Sequence, residues 1–209
     1  DKDGRVTLWT MPGARRQATL EVGGAKVLSL AFSPDGRTLA AGGSGGTVLL
    51  WNWRAGRSLA CTGSLYDVVA LAFSPDGTLL ASGGRVPAHL WDAVSGRQVL
   101  ALKTGDHVAA LAFSPDGRRL AVSSAAEGVE VWALEDGRGI QTLRGLASPV
   151  AQVRLSEDGR LLAALGHDWR LALWDLPQGR LRCVLEAPRG EFVDNAALAF
   201  SPDGQRLAA

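Results

Sequence analysis

Apolar residues fall in short runs along this chain, and each run is closed by residues that turn the backbone. VLSLAF at Val27–Phe32 and VVALAF at Val68–Phe73 are examples. Neither has the i, i+3, i+4 spacing of a helix face. Their length and punctuation predict β-strands, here buried on both faces. The runs pass into a repeated word: LAFSPDG at Leu30–Gly36, Leu71–Gly77, Leu111–Gly117 and Leu198–Gly204, with the variant VRLSEDG at Val153–Gly159. In Ser-Pro-Asp-Gly, Pro presets φ at the first corner, Asp tolerates the second, and Gly supplies a positive φ. A tight reversal is predicted, leading into a second strand such as RTLAAG or RRLAVSS. A loose Gly/Ser turn then leads to a third strand ending in Trp, as VTLW, VLLW, AHLW, VEVW and LALW. Five residues beyond four of these Trp residues stands another turn glycine (Gly56, Gly96, Gly137, Gly179), and a fourth strand follows, as in QVLAL or IQTL. The unit is a meander of four short antiparallel strands.

Two markers hold one period. Trp9, Trp51, Trp91, Trp132 and Trp174 are spaced by 42, 40, 41 and 42 residues; Ser33, Ser74, Ser114, Ser156 and Ser201 by 41, 40, 42 and 45. A fixed period in this range signals a repeat architecture. A single four-stranded sheet with two apolar faces can hide neither by itself. Radial stacking buries both, which predicts an all-β fold of propeller type.

The strand–SPDG–strand–turn–xLW pattern resembles the WD-repeat (WD40) β-propeller family, in a degenerate form, over essentially the whole chain. The Trp-Asp pair is literal at Trp91-Asp92 and Trp174-Asp175, and altered at Trp9-Thr10, Trp51-Asn52 and Trp132-Ala133. The Asp that the family favours six residues before the Trp is kept at Asp3 and Asp168, while Gly45, Arg85 and Ala126 replace it elsewhere. In GLASPV (Gly145–Val150), Leu146 stands where the family has His, so the family's Asp–His–Ser–Trp network is incomplete in every repeat. Blade packing is therefore expected to rest on apolar contact. The Trp marker divides the chain, a single domain over 1–209, into units 10–51, 52–91, 92–132 and 133–174, with 1–9 and 175–209 together making a fifth. These five blade-equivalents fit an arc of a larger propeller or five blades whose termini share one. The chain starts and stops mid-pattern, so it is expected to be part of a longer protein. Resemblance to bacterial WD-repeat proteins implies a sensor or scaffold portion beside other domains of that chain.

Composition narrows the rest. The chain of 209 residues is 46% hydrophobic with a net charge of +1, which fits a folded domain without a global pull toward nucleic acid or membrane. No apolar run is long enough to span a bilayer. Arg outnumbers Lys by 19 to 3, a bias expected of a GC-rich, bacterial source. Cys61 and Cys183 lie far apart without a CxxC and read as small core hydrophobes, with cytoplasm as the expected compartment. His89, His107 and His167 fall in different phases of the repeat, so neither a metal set nor a catalytic constellation emerges, and no cofactor is expected.

A binding role remains. One end of each meander carries both hairpin turns, where arginines (Arg37, Arg57, Arg97, Arg118, Arg119, Arg138, Arg160, Arg180) alternate with the turn aspartates. That alternation predicts a compensated, solvated face without evident aromatic platforms, which disfavours a nucleic-acid-binding alternative. The other end differs from copy to copy, and loops on a rigid scaffold commonly carry function. Tyr66, Arg85, Trp169, Arg170, Arg189 and Phe192 stand on it and are of the types that dominate interfaces. The expected partner is a protein or peptide, including other domains of the same chain. For Trp169 and Phe192 the alternative is a plug closing a blade end.

Overall fold

A computed structural model describes residues 3–61, 66–85, 87–104, 107–124, 128–186 and 197–209. A two-stranded sheet comes first, β1 (Arg5–Thr10) with β2 (Arg15–Glu21). Blade 1 is β3 (Val27–Phe32), β4 (Thr38–Gly43), β5 (Val48–Asn52) and β6 (Arg57–Cys61). Blade 2 is β7 (Val68–Phe73), β8 (Leu79–Gly84), β9 (His89–Asp92) and β10 (Gln98–Ala101). Blade 3 is β11 (Leu111–Phe113), β12 (Arg119–Ser124), β13 (Gly128–Ala133) and β14 (Arg138–Leu143). Blade 4 is β15 (Val150–Leu155), β16 (Leu161–Gly166), β17 (Arg170–Asp175) and β18 (Arg180–Glu186). A last pair, β19 (Ala199–Phe200) and β20 (Leu207–Ala208), ends the array. No α-helix occurs among the described residues.

Strands within each blade follow chain order and run antiparallel. The first strands β3, β7, β11, β15 and β19 lie side by side in succession, which sets the radial arrangement. The two terminal pairs are separate sheets, so the sheets do not close, consistent with a partial propeller. Each pair is committed to its own neighbour. Val6 and Leu20 pack with Leu39 and Trp51 of blade 1, while Phe200 and Leu207 pack with Leu165 and Leu171 of blade 4.

The repeated word is a hydrogen-bonded turn. Ser33 Oγ donates to Asp35 Oδ1 (2.7 Å) and accepts from the backbone N–H of Thr38 (2.9 Å), while Arg37 N–H donates to Asp35 Oδ1 (3.0 Å). The same bonds recur from Ser74 to Asp76 and Leu79, from Ser114 to Asp116 and Arg119, and from Ser201 to Asp203 and Arg206. Ser156 repeats them with Asp158 (2.6 Å) and Leu161 N–H (2.9 Å), although Glu157 replaces the proline there. Proline is thus dispensable, whereas Ser, Asp and the positive-φ glycine are what the turn requires.

Apolar clusters lie between blades. Ala40, Val48 and Leu50 of blade 1 meet Val68, Leu80 and Trp91 of blade 2. Ala81 and Leu90 of blade 2 meet Leu120 and Trp132 of blade 3, and Val129 and Val131 of blade 3 meet Leu162 and Trp174 of blade 4. Each blade turns its Trp and the Leu of its second strand toward the preceding blade, and the Ala that follows that Leu, with Val or Leu of the third strand, toward the following one. The deepest strand is the second, with β4, β8 and β16 all buried beyond their first residue. The first strand, expected to be buried on both faces, is only partly so in β3 and β7. It is the edge nearest the axis, with a hydrogen-bonded neighbour on one side alone, so solvent reaches it.

The Trp indoles do not share one network. Trp91 Nε1 donates to Ser82 Oγ (2.8 Å), Trp132 Nε1 to Glu130 Oε2 (2.9 Å) and Trp174 Nε1 to the Arg144 carbonyl (3.2 Å). In blade 4, Ser148 Oγ donates to the Asp168 carboxylate at 2.7 Å.

Candidate functional site

Two ends of the blades offer different chemistry. At the loop end, Tyr66 precedes β7 and Arg85 follows β8, and the pairing of Val68 with Gly84 brings both to the same end of one hairpin. Both are exposed. Next to Tyr66, Asp67 Oδ1 accepts from Gly45 N–H (3.0 Å) in the β4–β5 turn, which ties this rim of blade 2 to blade 1. Trp169 and Arg170 stand two blades further on, at the β16–β17 turn. Their rim is a second cluster, separated from the first by blade 3.

Trp169 has φ +65, the left-handed region that glycine favours. At the equivalent place in blade 1, Gly46 has φ +79. The strained backbone therefore carries a large, half-buried aromatic where the sister turn uses glycine. Arg170 is exposed and pairs with Glu186 at 3.1 Å. Arg189 and Phe192 lie outside the described residues.

At the turn end, the alternating charges are partly paired. Arg138 lies 2.9 Å from Asp136, Arg182 lies 2.7 Å from Asp175, and Arg37 approaches Asp35 only to 3.9 Å. These exposed pairs contribute little stability each. The carboxyls of Asp35, Asp76, Asp116, Asp158 and Asp203 are held below the usual range, first by the serine hydroxyl and then by a backbone N–H. The expectation of no aromatic at this end needs correction. Trp53, directly after β5, is half-buried, donates from Nε1 to the Gly36 carbonyl (2.9 Å), and carries the Arg54 guanidinium 4.8 Å over its ring. The signal was the doublet Trp51-Asn52-Trp53, whose second Trp is out of phase with the repeat marker.

Titratable chemistry is dispersed. His89 is on β9, His107 precedes β11 and His167 follows β16, so each belongs to a different blade. Burial lowers the His89 pKa, and its ring lies 5.7 Å from that of Trp91. Cys61 sits in the core between blades 1 and 2, where burial pushes its thiol up to about 11, and Cys183 is a half-buried free thiol. Among the described residues, no three His, Cys, Asp or Glu side chains are placed to hold a metal ion, and no helix is long and apolar enough to cross a membrane.

The family model for "WD domain, G-beta repeat" matches residues 15–52, 57–85, 97–132 and 137–175. The first of these segments covers β2 to β5, and the last covers β14 to β17. No curated protein matches the chain. With repeated turns, Trp-closed third strands and matches over most of its length, the chain belongs to the WD domain, G-beta repeat family.

Proposed function

We propose that this domain is a non-catalytic interaction scaffold that presents its loop end to a protein or peptide partner. WD repeats generally mediate protein interactions and are typically non-catalytic. The observation that carries the choice of face is Trp169. A left-handed conformation costs a non-glycine residue roughly 1–2 kcal/mol, and retained strain of this kind clusters at functional positions. Tyr66 with Arg85 on blade 2, and Arg170 beside Trp169, supply the aromatic and guanidinium anchors that interfaces favour. The cytoplasm and a bacterial signalling chain remain the setting we propose for it, with Arg189 and Phe192 as further contacts.

The test uses a photo-crosslinking amino acid at Tyr66 or Arg170, with Arg97 and Arg138 at the turn end as controls. The expected result is capture of a protein from the loop-end positions alone. Trp169→Gly should then weaken that captured protein by roughly tenfold while leaving the thermal midpoint unchanged or raised, because glycine removes the strain. A drop in midpoint with unchanged binding would make Trp169 a packing plug and overturn the assignment.

A further inference from the structure

The charges of the turn end are unevenly distributed. In the turns joining third and fourth strands, blade 2 offers Asp92 and Arg97, blade 3 offers Glu135, Asp136 and Arg138, and blade 4 offers Asp175 and Arg180. Each of these holds at least one acid, and in blade 4 Asp175 is paired with Arg182. Arg15 and Arg16 open β2 directly after the β1–β2 turn, and Arg54 in the β5–β6 turn is followed by Arg57 at the start of β6, with no acid from Thr10 to Arg16 or from Asn52 to Arg57. The cause is local. Thr10 and Asn52 occupy the place that Asp92 and Asp175 hold elsewhere. Asn52 keeps the structural duty of that position, its Oδ1 accepting from Ala55 N–H (3.0 Å) as Asp92 Oδ1 does from Ser95 N–H (2.7 Å). It does so without the charge. All four arginines are exposed.

The two turns are neighbours. Gln17 and Ala18 of β2 and Trp53 and Arg54 of blade 1 line one shallow cleft of about 420 Å³. Trp53 is held by its bond to Gly36, and its ring orients the guanidinium of Arg54. We propose that this corner of the turn end binds an acidic peptide segment, with Arg15, Arg16, Arg54 and Arg57 as its carboxylate receptors. Guanidinium groups match carboxylates in planar, two-bonded geometry. A single-stranded nucleic acid would need successive bare aromatic faces. Here Trp53 has its ring engaged by Arg54, and the exposed Trp9, opposite Arg16 on β1, is a single further ring and not a series. The site lies at the opposite end of the blades from Tyr66 and Trp169, so it stands or falls separately from the loop-end reading.

The experiment is fluorescence anisotropy with a fluorescein-labelled Glu-Gly-Glu repeat peptide and, in parallel, labelled oligouridylate. Saturable peptide binding that weakens as salt rises is expected. Arg54→Glu should weaken it by roughly tenfold and Asn52→Asp by about threefold, with Arg97→Glu changing it by less than about twofold. Asn52→Asp keeps the turn's acceptor, so an unchanged circular dichroism spectrum is expected, and Tyr66→Ala leaves peptide affinity as it was. Absence of saturable peptide binding would overturn the proposal. So would unchanged affinity in Arg54→Glu and Asn52→Asp, or oligouridylate binding that displaces the peptide.

Discussion

One serine oxygen organises each first turn, because Oγ gives its proton to the aspartate and receives a backbone N–H five residues on. Ser156, 1% exposed, is the sharpest case, since no proline supports its turn. Ser156→Ala leaves the Leu161 N–H without that acceptor and should cost about 1–3 kcal/mol in denaturant unfolding. It should also move the Asp158 carboxyl up toward the ordinary value of about 3.9, which NMR titration of that carboxyl would read. The five turn aspartates are depressed in the folded state, so their contribution is present above the unfolded pKa. It is lost as pH falls through the folded values. Stability should accordingly fall below about pH 4, and less steeply in Ser156→Ala. The other turn has its own test. Gly56, Gly96, Gly137 and Gly179 all take positive φ, and in the β1–β2 turn Ala14 takes the same place with φ +44. Ala14→Gly should raise stability by roughly 0.5–1 kcal/mol, the strain relieved less the added freedom of the unfolded chain. A lower thermal midpoint would show that the turn tolerates alanine without strain.

At the scale of strands and blades, the four-stranded meander, its order and its turns were legible in the chain, because local turn chemistry dictates them. Burial was less so. The apolar first strand reads as buried on both faces, yet burial is decided by neighbours that a strand cannot announce. The second strand, with its alanines and glycines, is where blades approach most closely. A Cβ on Gly83 would collide with Cγ1 of Val108, just ahead of the next blade's first strand, and would lie 2.9 Å from its Cβ. Gly83→Ala should therefore destabilise by about 1–3 kcal/mol through overpacking, measured by chemical unfolding. An effect within experimental error would mean that the blades slide apart freely. The candidate residues were legible by type and end only. Register joined Tyr66 to Arg85, and nothing in the residue spacing showed that Trp169 would adopt a glycine-like φ. Trp53 carries no repeat signal, because it falls two residues out of phase with the Trp marker.

Over the whole array, stability should be graded. Each blade is sealed by the ones beside it, whereas the β19–β20 pair joins only two residues per strand, Ala199 with Ala208 and Phe200 with Leu207. Hydrogen exchange should be slowest in β8, β12 and β16 and faster in the two terminal pairs, as expected of quasi-one-dimensional architectures. Uniform protection would contradict this nearest-neighbour picture. The identical heptapeptides at Leu71–Gly77 and Leu111–Gly117 have a genetic consequence. A crossover between the two coding segments would delete one period and join the start of β7 to the turn leading into β12. The hybrid sheet would still hold four strands, with its serine, aspartate and glycine in place. Removal of one such period takes away one whole blade and leaves none broken, so this architecture accommodates a change of length by whole units.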